Sequence, residues 1–340
     1  MTDRVTVAVV AFNDEASLDR CVRSLRMALD APIVLVDNHS EDGTWALAQA
    51  LGSELPGVTA FRTEHNAGYA SAANVARSMV DTEFLAVTNA DSVSTGDWVS
   101  PIIDHLDEHP TVAAASPTLG LTDHAALNAE GLDIHKTGFG FNRHLGRDLG
   151  AASTVPTRVP GIQGTAFVVR LDALDDIGGW YAGGFLYHED VELSWALRLA
   201  GNEISHVPTP PVMHDYELTM SPEKFFLLER NRLEMLSADL GTASKIVLAP
   251  VILATELAVW LYAIRKGKDL VSSKLRSYRS FTERRPIRRQ RSIQVAGFRR
   301  VSDGALLRSM SWRYPRSQTK ALHRGTTSSG RRGDRELPTS

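Results

Sequence analysis

Two hydrophobic periods alternate along the first part of the chain. Residues 5–10, 33–36, 58–61 and 84–88 are short runs of β-branched and apolar residues, each ended by polar turn formers. Such runs read as buried strands. Between them apolar residues return at helical spacing, as Leu18, Val22, Leu25 and Leu29 within 15–29 and as a small-residue stretch over 70–79. Strands alternating with helices predict βαβ units, hence an α/β fold with a mostly parallel central sheet flanked by helices.

The pattern then changes. Residues 112–116 and 164–170 have strand character, while 118–160 are Gly-rich and polar with little periodicity. So long an irregular segment predicts a functional loop or lid. Helices are predicted from 191 to a stop at Gly201 and again over 225–240. Residues 246–264 carry one formal charge, Glu256. At about 1.5 Å per residue they are long enough for a bilayer core of about 30 Å. Pro250, Thr255 and Glu256 argue against a simple span and favour a membrane-associated or re-entrant helix, with a buried core helix as the alternative. From about Ser317 onward, low hydrophobicity predicts a segment without fixed structure.

Charge sharpens this division. The net charge is −3, but residues 265–340 hold 21 Lys and Arg against 5 Asp and Glu, a net +16, which leaves −19 for residues 1–264. An acidic body with a basic tail predicts that the tail meets something anionic, a membrane surface or nucleic acid. No aromatic interleaving or nucleic-acid module accompanies the basic residues, so nucleic acid is not expected. The single cysteine, Cys21, excludes a disulfide framework and a cysteine-rich zinc site. No basic-then-apolar stretch opens the chain, so a secretory signal is not expected.

Candidate chemistry collects at strand ends. In open α/β sheets ligands bind outside the carboxyl ends of the strands, where this sequence puts Asn13, Asp37 and Asp91. Asp91 can hold a divalent cation, the usual partner of a diphosphate, or it can cap a helix beginning near Asp97. Asp37 can accept from a nucleobase or ribose, or it can close an Asx-turn. Gly68 lets a helix N-terminus approach an anion, or lets helix and sheet pack closely. Glu189 and Asp190 open a helix whose dipole favours their ionised forms. Either can take a proton from an attacking hydroxyl, or cap the helix. A lone His214 is by itself more often a hydrogen-bonded residue than a metal ligand.

Taken in order, these segments resemble family 2 glycosyltransferases of the GT-A fold, and within them bacterial rhamnosyltransferases of cell-wall and O-antigen synthesis. The resemblance spans about residues 5–240. It rests on Val9-Val10-Ala11-Phe12-Asn13, Val36-Asp37-Asn38-His39-Ser40-Glu41-Asp42-Gly43-Thr44, Asn66-Ala67-Gly68-Tyr69 with Ala73-Asn74, Asn89-Ala90-Asp91, Gly164-Thr165 and His188-Glu189-Asp190. It implies a nucleotide-sugar site built from Ala11, Asn13, Asp37, Asn66, Gly68, Asn74, Asn89 and Asp91. Asp91 and His214 would hold a divalent metal, Mn2+ or Mg2+, with Asn89 standing where the family usually has an acid. Asp190 would be the catalytic base beside Glu189, and Gly164, Thr165, Trp180 and Arg230 would line the acceptor side.

The implied reaction is inverting transfer of rhamnose or a related sugar from a dTDP- or UDP-sugar to a hydroxyl of a lipid-linked or polysaccharide acceptor in cell-envelope glycan synthesis. Another donor (galactofuranose or N-acetylhexosamine) and a catalytically silent nucleotide-sugar binder are the alternatives. The expected organisation is a catalytic domain over 1–240, a helical membrane-associating region over 241–300 and a basic tail without fixed structure over 301–340. The expected location is the cytoplasmic side of the cell membrane, peripheral or re-entrant.

Overall fold

The computed structural model describes residues 2–122, 125–216 and 219–314. The chain opens with three βα steps and a fourth strand: β1 (Val5–Ala11), α1 (Leu18–Ala28), β2 (Ile33–Asp37), α2 (Thr44–Glu54), β3 (Val58–Arg62), α3 (Tyr69–Ser78) and β4 (Phe84–Asn89). It continues through β5 (Ser92–Ser94), α4 (Ser100–Glu108), β6 (Val112–Ser116), β7 (Leu119–Leu121), β8 (Leu127–Ala129), β9 (Leu132–Ile134), β10 (Gly140–Asn142), β11 (Thr157–Arg158) and β12 (Ala166–Arg170). Then come α5 (Leu171–Asp176), α6 (Glu189–Leu199), β13 (Glu203–His206), β14 (Val212–His214) and α7 (Pro222–Asp239). The last helices are α8 (Thr242–Lys266), α9 (Lys268–Glu283), α10 (Arg285–Phe298) and α11 (Asp303–Arg308).

The main sheet has eight strands in the order β11-β13-β6-β12-β4-β1-β2-β3. Strands β1 to β4 are parallel, and β12 runs antiparallel between β4 and β6. Helices cover both faces, so β1 and β2 are buried along their whole length and read as continuous apolar runs. One core layer contains Leu18, Leu25, Phe84 and Trp98, and the other contains Phe167, Leu174, Trp180 and Trp195. Strand order reverses between β1, which pairs with β2, and β4, which joins β1 from the other side. This switch point opens the crevice in which an α/β sheet binds its ligand.

Residues 118–160 differ from the expected irregular loop. They supply β7 and β8 to a second sheet, β5-β14-β7-β8, and form the β9–β10 hairpin. These strands are three residues long, too short for a period of two to show in the sequence. The second sheet carries His214 to the crevice, because β14 pairs antiparallel with β5 directly after Asp91.

The C-terminal helices fold back onto the body. Helix α8 is longer than expected and mostly exposed, so it is not a buried core helix. By length and composition it is the one described helix apolar enough to cross a membrane. Its Thr255 is buried, and Glu256 turns inward to Arg232 of α7 and Lys274 of α9. Within 301–340, α11 is helical and the Ser311 amide bonds the Ile134 carbonyl at 2.9 Å. Residues 315–340, which include the segment from Ser317, lie outside the described residues.

Candidate active site

The sheet brings the acidic residues from distant segments into one crevice. His214 Nε2 lies 3.4 Å from Asp91 Oδ1. The same ring turns Nδ1 to Thr165 Oγ1 at 3.0 Å and Asn128 Oδ1 at 3.1 Å. One residue back, the Gly164 amide donates to Asp190 Oδ2 at 3.4 Å. Asp91, His214, Thr165, Gly164 and Asp190 therefore form a continuous line at the switch point. A Cβ on Gly164 would sit 3.3 Å from Asp190 Cβ, so glycine lets α6 approach this closely. Asp91 is not the cap of the next helix. Asp97 does that, accepting from Val99 and Ser100 amides at 3.0 and 2.9 Å.

Glu189 and Asp190 begin α6, where amide N–H groups point toward them. They keep some exposed surface, but Glu189 Oε2 is shut off from solvent and has no hydrogen-bond partner among the described residues. Burial first, and then the charge of Asp190, push Glu189 up to about 8. Burial also raises Asp190, partly offset by the Val191 and Gly164 amides. Two acids driven upward in one cleft are suited to proton transfer near neutrality. His188 before them is held neutral, because burial lowers it to about 4 while Nε2 meets the Gly138 carbonyl at 2.8 Å.

Ala11, Asn13 and Asp37, expected at the nucleotide, cluster around the β1 and β2 ends, where each is bonded to the turn over residues 38–41. Asp37 accepts from the Ser40 amide at 3.2 Å and pairs with Arg62 at 3.2 Å, so it closes the turn that the sequence offered as its alternative. Asn13 Oδ1 accepts from the Glu41 amide at 2.9 Å, and the Ala11 carbonyl accepts from Asn38 at 2.8 Å. Asn66 Oδ1 takes both the Asn38 side chain at 2.8 Å and the Gly68 amide at 3.0 Å. Gly68 has φ +87°, and a Cβ there would collide with the Phe185 carbonyl. The loop before α6 thus rests on the N-terminus of α3.

Two expected residues are taken up by the protein itself. The ring of Trp180, expected on the acceptor side, is buried against Phe167. Asn74 does not face the crevice, because its amide clips the Trp180 backbone at 2.8 and 2.9 Å. Arg230 donates to the Gly184 carbonyl of the loop before α6 at 2.6 Å.

The structure also adds residues. Asn128 orients His214, and Asn231 holds the carbonyls of Gly184, Leu186 and Tyr187 at 3.0, 3.1 and 2.8 Å. The Tyr69 hydroxyl is buried, has no hydrogen-bond partner among the described residues and feels the charges of Glu189, Asp190 and Asp91. Asn128 fell in a stretch without periodicity, and no sequence signal marked it. Asn231 and Tyr69 sat inside recognised segments with nothing to show what they face.

Among the described residues no three His, Cys, Asp or Glu side chains gather as a metal cage. The donors present nonetheless fit a divalent ion shared with a ligand. His214 Nε2 and Asp91 Oδ1 are adjacent, the Nδ1 of the same ring is held by Thr165 and Asn128 as the far nitrogen of a metal-bound histidine usually is, and buried Asn89 Oδ1 has no hydrogen-bond partner among the described residues.

Residues 6–178 match the family described as Glycosyl transferase family 2. The chain belongs to glycosyl transferase family 2. Asp190 and His214 lie beyond the matched span, so their place in the crevice comes from the fold. N-acetylglucosaminyl-diphospho-decaprenol L-rhamnosyltransferase of Mycobacterium tuberculosis (strain ATCC 25618 / H37Rv) is 26% identical over 239 residues, covering 63% of this chain and 76% of that protein. The structure of GalNAc-T7 with UDP, GalNAc and Mn2+ aligns with TM-score 0.56 and 18% identity over 84% of this chain and 56% of that one. The mannosyltransferase PcManGT from Pyrobaculum calidifontis, in complex with GDP-Man and Mn2+, aligns with TM-score 0.52 and 18% identity over 90% of this chain and 86% of that one. The architecture of this family 2 chain is thus the GT-A glycosyltransferase fold with a helical C-terminal extension.

Proposed function

We propose that this chain is an inverting, metal-dependent glycosyltransferase that moves rhamnose or a related sugar from a dTDP- or UDP-sugar to a hydroxyl of a lipid-linked or polysaccharide acceptor in cell-envelope glycan synthesis. The observation that carries this reading is the line from Asp91 through His214, Thr165 and Gly164 to Asp190 at the switch point. A lipid-linked acceptor is supported by the relative acting on a diphospho-decaprenol.

In this reading the donor nucleotide lies over the β1 and β2 ends at Ala11, Asn13 and Asp37, with its diphosphate near Asn66, Gly68, Asn89 and Asp91. Asp91 and His214 would hold Mn2+ or Mg2+, which when bound neutralises charge on the departing diphosphate. Asp190 takes the acceptor hydroxyl proton as that oxygen bonds to the anomeric carbon. The carbon–oxygen bond to the diphosphate breaks, the nucleoside diphosphate leaves with the electron pair, and one displacement inverts the configuration. Neutral Glu189 beside it keeps a second negative charge out of the crevice at neutral pH. The loop held by Arg230 and Asn231 orients α6. We assign residues 1–240 to catalysis, 241–300 to association with an anionic membrane surface on the cytoplasmic side, and 301–340 to a basic tail.

The deciding experiment is thermal-shift binding of dTDP, UDP and GDP with and without Mn2+ or Mg2+, followed by transfer assays on the responding donor. A ligand that binds only the folded state raises its stability by mass action. Metal-dependent stabilisation by one nucleotide, with turnover lost in Asp190→Asn, supports the transferase. Stabilisation without turnover on any donor points instead to a silent nucleotide-sugar binder.

A further inference from the structure

Helix α8 shows one continuous apolar face to solvent. Ile246, Val247, Leu253, Leu257, Leu261 and Ile264 are 58–76% exposed and recur at helical spacing. The other exposed positions between 243 and 264 are Ala243, Pro250, Ala254 and Ala258, so no charged or hydrogen-bonding side chain interrupts the stripe. From 246 to 264 it is about 28 Å long at about 1.5 Å per residue. A contiguous exposed patch of this kind marks a surface that something covers.

The opposite face shows how α8 is held. Its one formal charge between 246 and 264, Glu256, binds Arg232 of α7 and, at 2.7 Å, Lys274 of α9. Arg232 also pairs with Glu229 at 2.8 Å, and Glu229 pairs with Lys274. Two acids and two bases close a neutral cage. Burial pushes Glu256 up, but Arg232, Lys274 and the Tyr278 hydroxyl together hold it down at about 2. Beside it the Thr255 hydroxyl meets the Tyr314 hydroxyl at 2.9 Å. Glu256 lies near the middle of α8, so a spanning helix would carry this point to the bilayer centre. Either the cage would break, leaving Arg232 and Lys274 as two buried cations sharing one acid, Glu229, or α9 would follow with its exposed Arg276, Arg279 and Glu283. Both are costly.

The surroundings identify the cover. Arg265, Lys266 and Lys268 are exposed where α8 ends, within a C-terminal region of net charge +16. A second copy would bring a like-charged region to the same place, whereas an anionic leaflet complements it. We propose that α8 is an in-plane membrane anchor whose apolar stripe sinks to the headgroup–acyl boundary of an anionic leaflet while its Glu256 face stays fastened to the protein. The proposal rests on the membrane-surface assignment made above and adds the face, the orientation and the absence of a crossing. A polar face held by protein and an apolar face of this length are what an interfacial helix requires.

The test uses the full chain. Cys21 is the one cysteine and is fully buried, so an environment-sensitive fluorophore can be placed at Ile246→Cys, Leu257→Cys or Ile264→Cys in turn. Each is mixed with phosphatidylcholine vesicles with and without phosphatidylglycerol, and depth is read with quenchers set along the acyl chain. All three labels should shift to the blue on phosphatidylglycerol vesicles and be quenched best at the same shallow depth. A label at 257 deeper than those at both ends means a crossing, and overturns the proposal. So does a shift that needs no vesicles and grows with protein concentration, which means a second copy, or no shift at all. Leu253→Lys combined with Leu257→Lys changes exposed positions and should weaken vesicle flotation about tenfold or more. Unchanged flotation would also overturn it. Nucleotide binding measured without vesicles separates the two readings: retained binding with no docking sinks the anchor alone, and docking with no nucleotide response sinks the transferase alone.

Discussion

His214 Nε2 lies 3.4 Å from Asp91 Oδ1, although 122 residues separate them in the chain. The pairing is a product of β14 running antiparallel to β5, and Thr165 and Asn128 fix the ring from behind. Thr165→Val removes one of those supports without altering Asp91 or His214. Metal affinity should fall by about 10–100-fold, the usual effect of losing a ligand's hydrogen-bond partner. Mn2+ titration of the nucleotide-dependent thermal shift measures it, and an unchanged titration would remove the pair from the metal site.

Asp190→Asn should lower kcat by about 10²–10⁴-fold with little effect on donor binding. The pH profile carries more information. Burial raises Asp190, so transfer should gain activity as pH rises above the ordinary carboxylate range. Glu189 ionises later, near 8. Glu189→Gln should leave the Asp190 limb in place and abolish the ionisation near 8, read from kcat/KM against pH.

Glu189 also predicts a stability trend. Its folded value of about 8 lies above the ordinary 4.5, so the folded state binds its proton more tightly. That contribution is full below about 4.5 and is lost as pH rises through about 8. Denaturant melts of wild type should therefore lose stability across that window relative to Glu189→Gln. Parallel curves would show that Glu189 is better solvated than its surroundings imply.

Gly68→Ala should be poorly tolerated. Alanine at φ +87° costs about 1–2 kcal/mol, and its Cβ meets the Phe185 carbonyl. The expected result is lower stability together with weaker donor binding, because the loop before α6 must move off α3. Wild-type affinity in a folded variant would uncouple that loop from the donor.

The C-terminal helices should prove integral to the body. Arg291 of α10, 3% exposed, pairs with Glu192 of α6, which burial raises to about 7, and lies 3.4 Å from Asp239. Removing one member of a buried pair costs about 3–5 kcal/mol, so Arg291→Ala should destabilise by that order in urea unfolding. A deletion from residue 245 would remove Glu256, Lys274 and Arg291 together, so α7 and α6 would keep stranded charges. Membrane release is therefore better tested by the surface leucines than by truncation.

The sequence by itself determined the layered α/β architecture, because four apolar runs separated by helical periods can bury their faces only in a covered sheet. It also placed Asp91 and the Glu189-Asp190 pair at element ends, since a carboxylate directly after an apolar run cannot stay inside it. Tertiary structure decided the rest. Three-residue strands in 118–160 have no readable period, so the second sheet that delivers His214 beside Asp91 was invisible. Hydrogen bonding took up the Asn74 amide and packing against Phe167 buried the Trp180 ring, because an amide and an indole look alike in sequence whether they face a ligand or a core. The apolar run in α8 was legible, but its meaning depended on Glu256. One carboxylate in an apolar helix can face lipid, water or protein, and only packing against Arg232 and Lys274 turned it inward and left the leucines outside.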